Sequence, residues 1–455
     1  MIDKQQALAH LTAHGQQHVL RFFDTLSATA QRSLLMQIEA LDLAWLKTAL
    51  TTPASTGTEN ITPYDAVIRA EDPATQEALR RGEEALERGE VGVLLVAGGA
   101  GSRLGFEGPK GLYPLGAVSK RTLFQIHIDR LRAVGRRYGV IPALFVMTSP
   151  DNHEETRRYL AENDNFGLPA ERLMIFPQGV APAVDFEGQL LLADKHTLIL
   201  SPNGNGGLFA AMHDSGAFTR MQSLGVTSIS YIQVDNALAD PADACFIGHH
   251  LRVRSEFSCK AMPKRGPLEK VGNIARVGER LGIVEYYEVP DELVSQRDAT
   301  GELLFNFGNP GLFLWSVAFA ERQAARLDLP IHRARKKLTC VDQEGQLSLP
   351  QEPNGLKLET FALDTLADAE RTLVYACERD VEFAPVKNGE GEDSPASAQA
   401  LMTDLFRGWV QAAGGQVEQD CQLEVNPLYA LDAQELAVRL PKGLKIAKDT
   451  YLTEV

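Results

Sequence analysis

The run Val96-Ala-Gly-Gly-Ala-Gly-Ser-Arg-Leu-Gly105, with Gly108-Pro-Lys-Gly111 close behind it, has the residue types that hold phosphate. Glycines directly after an apolar run let backbone amides approach a ligand closely and aim at its oxygens. Arg103 and Lys110 add mobile positive charge beside the same loop. A Walker A loop, G-x-x-x-x-G-K-[ST], does not match, because Lys110 follows Pro109 and precedes Gly111. The dinucleotide fingerprint G-x-G-x-x-G/A also fails: after Gly99 and Gly101 its third position is Leu104, and no acidic residue ends a second strand at the usual distance. A Gly-rich turn that binds nothing is the plain alternative. The added Arg and the Pro-Lys-Gly run weigh against it.

Asp235, in Gln233-Val-Asp-Asn236, follows the apolar stretch VTSISYIQV (226–234). A carboxylate at such a strand end is placed to hold a divalent cation. Magnesium suits it, taking one or two carboxylates and filling its remaining positions with phosphate oxygens and water. The other reading is an Asp that caps the next turn. The neighbouring glycine loop favours the metal, and no second protein ligand is identifiable. Pro202-Asn-Gly-Asn-Gly-Gly207 is a further Gly/Asn loop, by itself most often a turn and helix start. Lys357 in PNGLKLE and Lys387 in FAPVKN lie in apolar, proline-flanked surroundings, although lysines are usually solvated. No HExxH helix and no GxSxG elbow occurs, so a histidine zinc site and a covalent serine mechanism have no support.

These residues need a scaffold, and the pattern supplies one. VGVLLV (91–96) is continuously apolar, as in a strand covered on both faces. Thr122-Leu-Phe-Gln125 predicts the capped start of a helix. IPALFVMT (141–148) reads as the next strand, and Asp151 or Asn152 as the cap of a helix over HEETRRYLAEN. RLMIFPQ (172–178) and VTSISYIQV read as further strands. This βαβα order predicts an α/β fold with a doubly wound, mostly parallel sheet, whose ligand cleft lies at the C-terminal strand ends. GNIARVGERLGIVEYYEV predicts a hairpin, and PASAQALMTDLFRGWVQAAGG (395–415) a helix stopped by glycines. Residues 1 to about 60 read as helices through Leu8, Leu11, Val19, Leu20, Phe23 and Leu26, then Leu34, Leu35, Ile38, Leu41 and Leu46. TTPASTGTENITP (51–63) reads as a linker. The expected division is a helical segment 1–60, a catalytic domain 61–385 and a small C-terminal α+β domain 386–455.

With 455 residues the chain is long enough for two or three domains. Its 60 Asp and Glu against 45 Lys and Arg give a formal charge of −15, which disfavours broad binding to nucleic acid or anionic membranes. A small polyanion remains possible if a few cations concentrate in one cleft. Five scattered cysteines without a CxxC pair argue against a disulfide framework or a thiolate zinc site. The start lacks an apolar signal core and no run approaches a membrane span, so a cytoplasmic address is expected.

The glycine loop with its PKG resembles the signature of nucleotide-sugar pyrophosphorylases. FPQG (176–179), SPNGNGGLF (201–209), QVDN (233–236), VGNIARV (271–277), VEYYE (284–288), LLFNFGN (303–309), PNGLKLE (353–359) and FAPVKN (383–388) extend the likeness over roughly residues 90–415. They narrow it to the UDP-N-acetylhexosamine (N-acetylglucosamine) pyrophosphorylase branch of the UTP:sugar-1-phosphate uridylyltransferases. The resemblance implies a Rossmann-like nucleotide-diphospho-sugar transferase fold and Mg2+-assisted transfer of uridylyl from UTP to N-acetylglucosamine or N-acetylgalactosamine 1-phosphate. It implies nucleotide contacts from Val96, Ala97, Gly98, Gly99 and Gly101, with Arg103 and Lys110 on the triphosphate and Asp235 on the metal. Gln178, Gly204 and Asn205 would hold the uridine; Gly272, Glu285 and Asn309 the sugar; Lys357 and Lys387 phosphate. After Asn309 the family's Asn-His-Phe run is replaced by Pro310-Gly-Leu-Phe-Leu-Trp315, and Ala100 stands where Gln is common. The alternatives are a UDP-glucose or broad-specificity pyrophosphorylase and a non-catalytic nucleotide-sugar binding protein, with a dehydrogenase a distant third.

Overall fold

The computed structural model describes residues 2–51, 60–326 and 329–454; of the expected linker, residues 52–59 lie outside the described residues. Contacts gather the chain into two compact units that interleave along the sequence. Met1–Gly57, Gln178–Leu208 and Arg326–Thr365 form the first, and Thr58–Pro177, Phe209–Ala325 and Leu366–Val455 the second.

The second unit is built on a 12-stranded sheet. Val91–Val96 lies inside it, third from the Leu173–Pro177 edge, with Val93, Leu94 and Leu95 each 0% exposed. It pairs in parallel with Ala143–Thr148 on one side and Ser228–Gln233 on the other, and Leu173–Pro177 adds a further parallel strand. Phe313–Ser316 runs antiparallel between Ser228–Gln233 and Phe257–Pro263, and Phe257–Pro263 pairs in parallel with Thr372–Ala376. The α/β class and mostly parallel centre expected from the βαβα order are therefore present. The crossover helix Leu123–Tyr138 starts on the Thr122 side chain, which accepts from the Gln125 amide, and ends at Gly139 with φ 81°. Its face carrying Leu123, Ile126, Leu131 and Val134 is buried.

One local expectation is corrected. Neither Asp151 nor Asn152 caps the helix His153–Glu162 with its side chain. Asn152 instead closes a box with Ser149 and turns its amide toward the glycine loop.

The hairpin is present as Asn273–Val277 and Arg280–Val284, in the register Asn273↔Val284. The helix Pro395–Ala412 is capped by Ser394. Beyond it, Leu423, Val425, Leu436, Leu440 and Ile446 join the same apolar cluster as Val93, Leu95, Ile126 and Leu131.

In the first unit the helices Lys4–Ala13, Ala28–Glu39 and Leu43–Thr51 bury Ala7, Leu11, Leu34, Ile38 and Leu46 against Ala181, Val184, Leu192, Leu198 and Leu358. Leu8, expected on the buried face, is 42% exposed. All five cysteines are free thiols, and among the described residues no helix is long and apolar enough to cross a membrane.

Candidate active site

The glycine loop is folded back on itself at the C-terminal end of the strand Val91–Val96. Ala97 donates its N–H to the Met147 carbonyl at 2.7 Å, and its own carbonyl accepts from Asn152 Nδ2 at 3.0 Å. Gly101 N–H donates to the Gly108 carbonyl at 2.8 Å, and Lys110 N–H to the Gly99 carbonyl at 2.9 Å. This pinch brings Lys110 beside the first glycines. A Cβ at position 101 would lie 2.7 Å from the Phe106 ring, so the return of the chain demands glycine there. Arg103 is exposed on the short Ser102–Leu104 turn that follows.

Asp235 stands at the end of the adjacent strand. Val234 N–H extends the parallel pairing to the Val96 carbonyl at 3.0 Å, placing the next side chain over the loop. Lys110 Nζ lies 2.9 Å from Asp235 Oδ2, with side-chain exposures of 14% and 13%. Asn236 then fixes a distant segment. Its Nδ2 donates to the Glu382 carbonyl at 2.8 Å and its Oδ1 accepts from the Ala384 N–H at 3.0 Å. Val386 N–H donates to the Asp235 carbonyl at 2.8 Å. Lys387 is the next residue, with its Nζ 5.6 Å from the Phe383 ring centroid. Gly389 lies against Arg103, where a Cβ would come within 3.0 Å of the Arg103 carbonyl. Arg103 and Lys110, from one loop, and the distant Asp235 and Lys387 are thus brought to one group of strand ends. Beneath them, the fully buried His127 ring bonds the Val234 carbonyl at 3.0 Å, and burial pushes its pKa down to about 4.

A second group forms at the open end of the hairpin. Because Asn273 pairs with Val284, the flanking Gly272 and Glu285 come opposite each other. A Cβ at position 272 would lie 3.9 Å from Glu285 Oε1. Asn309 N–H donates to the Gly272 carbonyl at 2.8 Å, its Nδ2 to the Lys260 carbonyl at 3.1 Å, and its Oδ1 accepts from Gly311 N–H at 2.9 Å. Gly272, Glu285 and Asn309 are brought together. The residues that depart from the family pattern here, Leu312 to Trp315, are 0–3% exposed and belong to the sheet core.

Gln178, Gly204, Asn205 and Lys357 lie in the first unit. Gln178 is buried, and the following Gly179 accepts at its carbonyl from Asn203 N–H at 3.3 Å, which sets Gln178 beside the Asn203–Gly207 loop. Gly204 has φ +82°, and a Cβ there would lie 2.3 Å from the Thr360 carbonyl oxygen. Asn205 Oδ1 accepts from Ala362 N–H at 2.9 Å. Lys357 sits on the strand Gly355–Glu359, which pairs with His332–Lys336 and leads into Thr360. Asn152, Asn236 and His127 escape a reading of the sequence. Each acts by bonding to a carbonyl far along the chain, and only the place of Asn236 beside Asp235 hints at its part.

Among the described residues no group of three or more His, Cys, Asp and Glu is arranged to hold a metal ion. A lone strand-end carboxylate such as Asp235 is too sparse for a protein-only cage. It does fit Mg2+, which keeps waters and substrate phosphate oxygens in most of its positions.

The sequence pattern of UTP–glucose-1-phosphate uridylyltransferase matches residues 42–432. The human UDP-N-acetylhexosamine pyrophosphorylase-like protein 1 is 33% identical over 445 residues, covering 91% of this chain and 87% of that protein. The UDP-N-acetylglucosamine pyrophosphorylase of Saccharomyces cerevisiae is 34% identical over 388 residues, covering 83% and 81%. The crystal structure of the uridine diphosphate N-acetylglucosamine pyrophosphorylase from Trypanosoma brucei in complex with inhibitor superposes with a TM-score of 0.84 at 26% identity, over 100% of this chain and 99% of that one. The glycine loop, the strand-end carboxylate and these likenesses agree: the chain belongs to the UTP–glucose-1-phosphate uridylyltransferase family, in its UDP-N-acetylhexosamine pyrophosphorylase branch.

Proposed function

We propose that this uridylyltransferase joins UTP to N-acetylglucosamine 1-phosphate or N-acetylgalactosamine 1-phosphate and releases pyrophosphate. The observation that carries the reading is the contact of Lys110 with Asp235 beside the folded glycine loop. The names of the relatives favour an N-acetylhexosamine over glucose.

A sugar phosphate dianion and a singly charged α-phosphate at contact distance repel by several kcal/mol even at an effective dielectric near 20. Bringing them together is the main task in a chain of formal charge −15. The amides of Gly98, Gly99 and Gly101, with Arg103 and Lys110, hold the triphosphate and neutralise the departing pyrophosphate. Lys387 sits on the phosphate at which the new bond forms. The sugar phosphate oxygen attacks the α-phosphorus in line with the leaving group. Being a good nucleophile at neutral pH, it needs no general base, so positioning and charge do the work. Asp235 would hold Mg2+, which would supply positive charge beside the bound phosphates. Gln178, Gly204 and Asn205 hold the uridine; an amide both donates to and accepts from a uracil edge. Gly272, Glu285 and Asn309 take the sugar hydroxyl and acetamido groups, and Lys357 a phosphate.

A panel of sugar 1-phosphates mixed with UTP, with and without Mg2+, tests this by pyrophosphate release. Turnover is expected to be highest with the N-acetylhexosamine 1-phosphates and to vanish on chelation. Preference for glucose 1-phosphate overturns the sugar assignment, and nucleotide binding without turnover turns the reading to a binding protein.

A further inference from the structure

Behind the two groups of site residues lies a buried ionic cluster that uridylyl transfer does not call on directly. Lys260, on the strand Phe257–Pro263, is 0% exposed. Its Nζ donates to Asp243 Oδ2 at 2.7 Å and to Glu382 Oε2. Asp243 caps the helix Ala244–Arg252 by accepting from Phe246 N–H. Taking an ammonium out of water is expensive, and well-packed apolar groups would often serve stability as well or better. Where the partners of Lys260 lead is the more informative fact.

On one side, Glu382 opens the segment that Asn236 and Asp235 hold: its carbonyl accepts from Asn236, and Val386 donates to Asp235 immediately before Lys387. On the other side, the carbonyl of Lys260 itself accepts from Asn309 Nδ2 at 3.1 Å, and Asn309 binds Gly272. A single residue is bonded through its ammonium to the segment that carries Lys387 and through its main chain to the Gly272–Glu285–Asn309 group.

We propose that Lys260 is a positioning residue for uridylyl transfer, its ammonium fixing the 382–387 segment and its carbonyl fixing Asn309, so that the phosphate and the sugar of one substrate are held in register. This rests on the roles given above to Lys387 and Asn309. A small misplacement of reacting groups is enough to cost about 10²-fold in rate, so such a brace is worth a buried charge.

The test, run at pH 8 where Glu382 is ionised, compares K260M with the triple variant D243N/K260M/E382Q, which removes all three charges at nearly constant volume. K260M strands two carboxylates and is expected to melt well below wild type. The triple variant is expected to regain most of the melting temperature. Its kcat is expected to stay down by about 10²-fold, with a raised KM for the sugar 1-phosphate and a nearly unchanged KM for UTP. Recovery of wild-type kcat together with the melting temperature would overturn the inference, leaving Lys260 a purely structural residue. Hydrogen exchange of the Val386 and Lys387 amides gives a readout independent of activity, expected to be about tenfold faster in the triple variant. Unchanged exchange there sinks the inference. Should the wild-type chain transfer no uridylyl group, the proposed function fails, and the exchange comparison still decides whether Lys260 braces the segment.

Discussion

The strand-end group and the hairpin group are built on different principles. At the strand ends Lys110 and Asp235 pair through their side chains at 2.9 Å, still partly open to solvent, and the backbone brings Arg103 and Lys387 to the same place. Gly272, Glu285 and Asn309 are set by strand register and by bonds from one side-chain amide to main-chain groups. Charges on flexible arms can follow a phosphate as its charge develops, whereas a backbone-defined rim can recognise only a fixed shape. With the roles proposed above, the comparison predicts a division of labour, with rate at the strand ends and sugar selection at the hairpin.

Removing charge at the strand ends gives the largest expected effect. Arg103→Ala and Lys387→Ala should each lower kcat/KM by about 10²-fold or more, the usual cost of losing a group that stabilises developing charge. Steady-state assays with UTP and the best sugar 1-phosphate check this. Near-wild-type turnover in both variants would break the comparison at its stronger side.

How much of this was legible in the sequence follows the same line. The glycine loop, Lys110 and the strand before Asp235 are continuous in the chain, so spacing and burial pattern announce them. The hairpin register that faces Gly272 with Glu285 is also local, fixed by the two-residue turn at Gly278-Glu279. Asn152 reads as a helix cap, yet its amide is taken up by the Ala97 carbonyl, 55 residues away. The bonds of Lys260 to Glu382 and of Asn236 to Ala384 span 122 and 148 residues, which no periodicity can reveal. Leu8 keeps helical spacing but sits at the margin of the buried stripe, and a margin is where periodicity decides least. The uridine and phosphate roles proposed for Gln178, Gly204, Asn205 and Lys357 rest on family likeness alone, because a Gly/Asn loop and a strand lysine have ordinary uses.

An intermediate effect is expected at the hairpin. Asn309→Ala removes the bonds to the Lys260 carbonyl and the Gly311 amide along with the proposed sugar contact. The KM for the sugar 1-phosphate should rise by about tenfold, the worth of one or two neutral hydrogen bonds, and kcat should fall much less. Separate titration of the two substrates measures this. An equal fall in kcat would show that the hairpin group shapes the reacting geometry as well and would merge the two regions into one.

The smallest effect concerns what supports each region in acid. The hairpin group is held by main-chain groups and an amide, which do not titrate. The strand end carrying Asp235 rests on His127, whose pKa burial lowers to about 4 from 6.5. As the pH falls below 6.5 the unfolded chain takes up a proton that the native ring refuses. Stability should drop by about 1.4 kcal/mol per pH unit until the native ring itself protonates near 4. Glu382 pulls the other way: burial raises its carboxyl to about 7 from 4.5, so the native state holds a proton there that the unfolded chain has released. The difference between wild type and His127→Gln isolates the histidine, since the amide still donates to the Val234 carbonyl. Between pH 6.5 and 4 the melting temperature of wild type should fall faster than that of the variant, by about 2 °C per pH unit. Parallel curves would mean that protonation of His127 is no harder in the folded chain, and the strand end would lose its acid-sensitive prop.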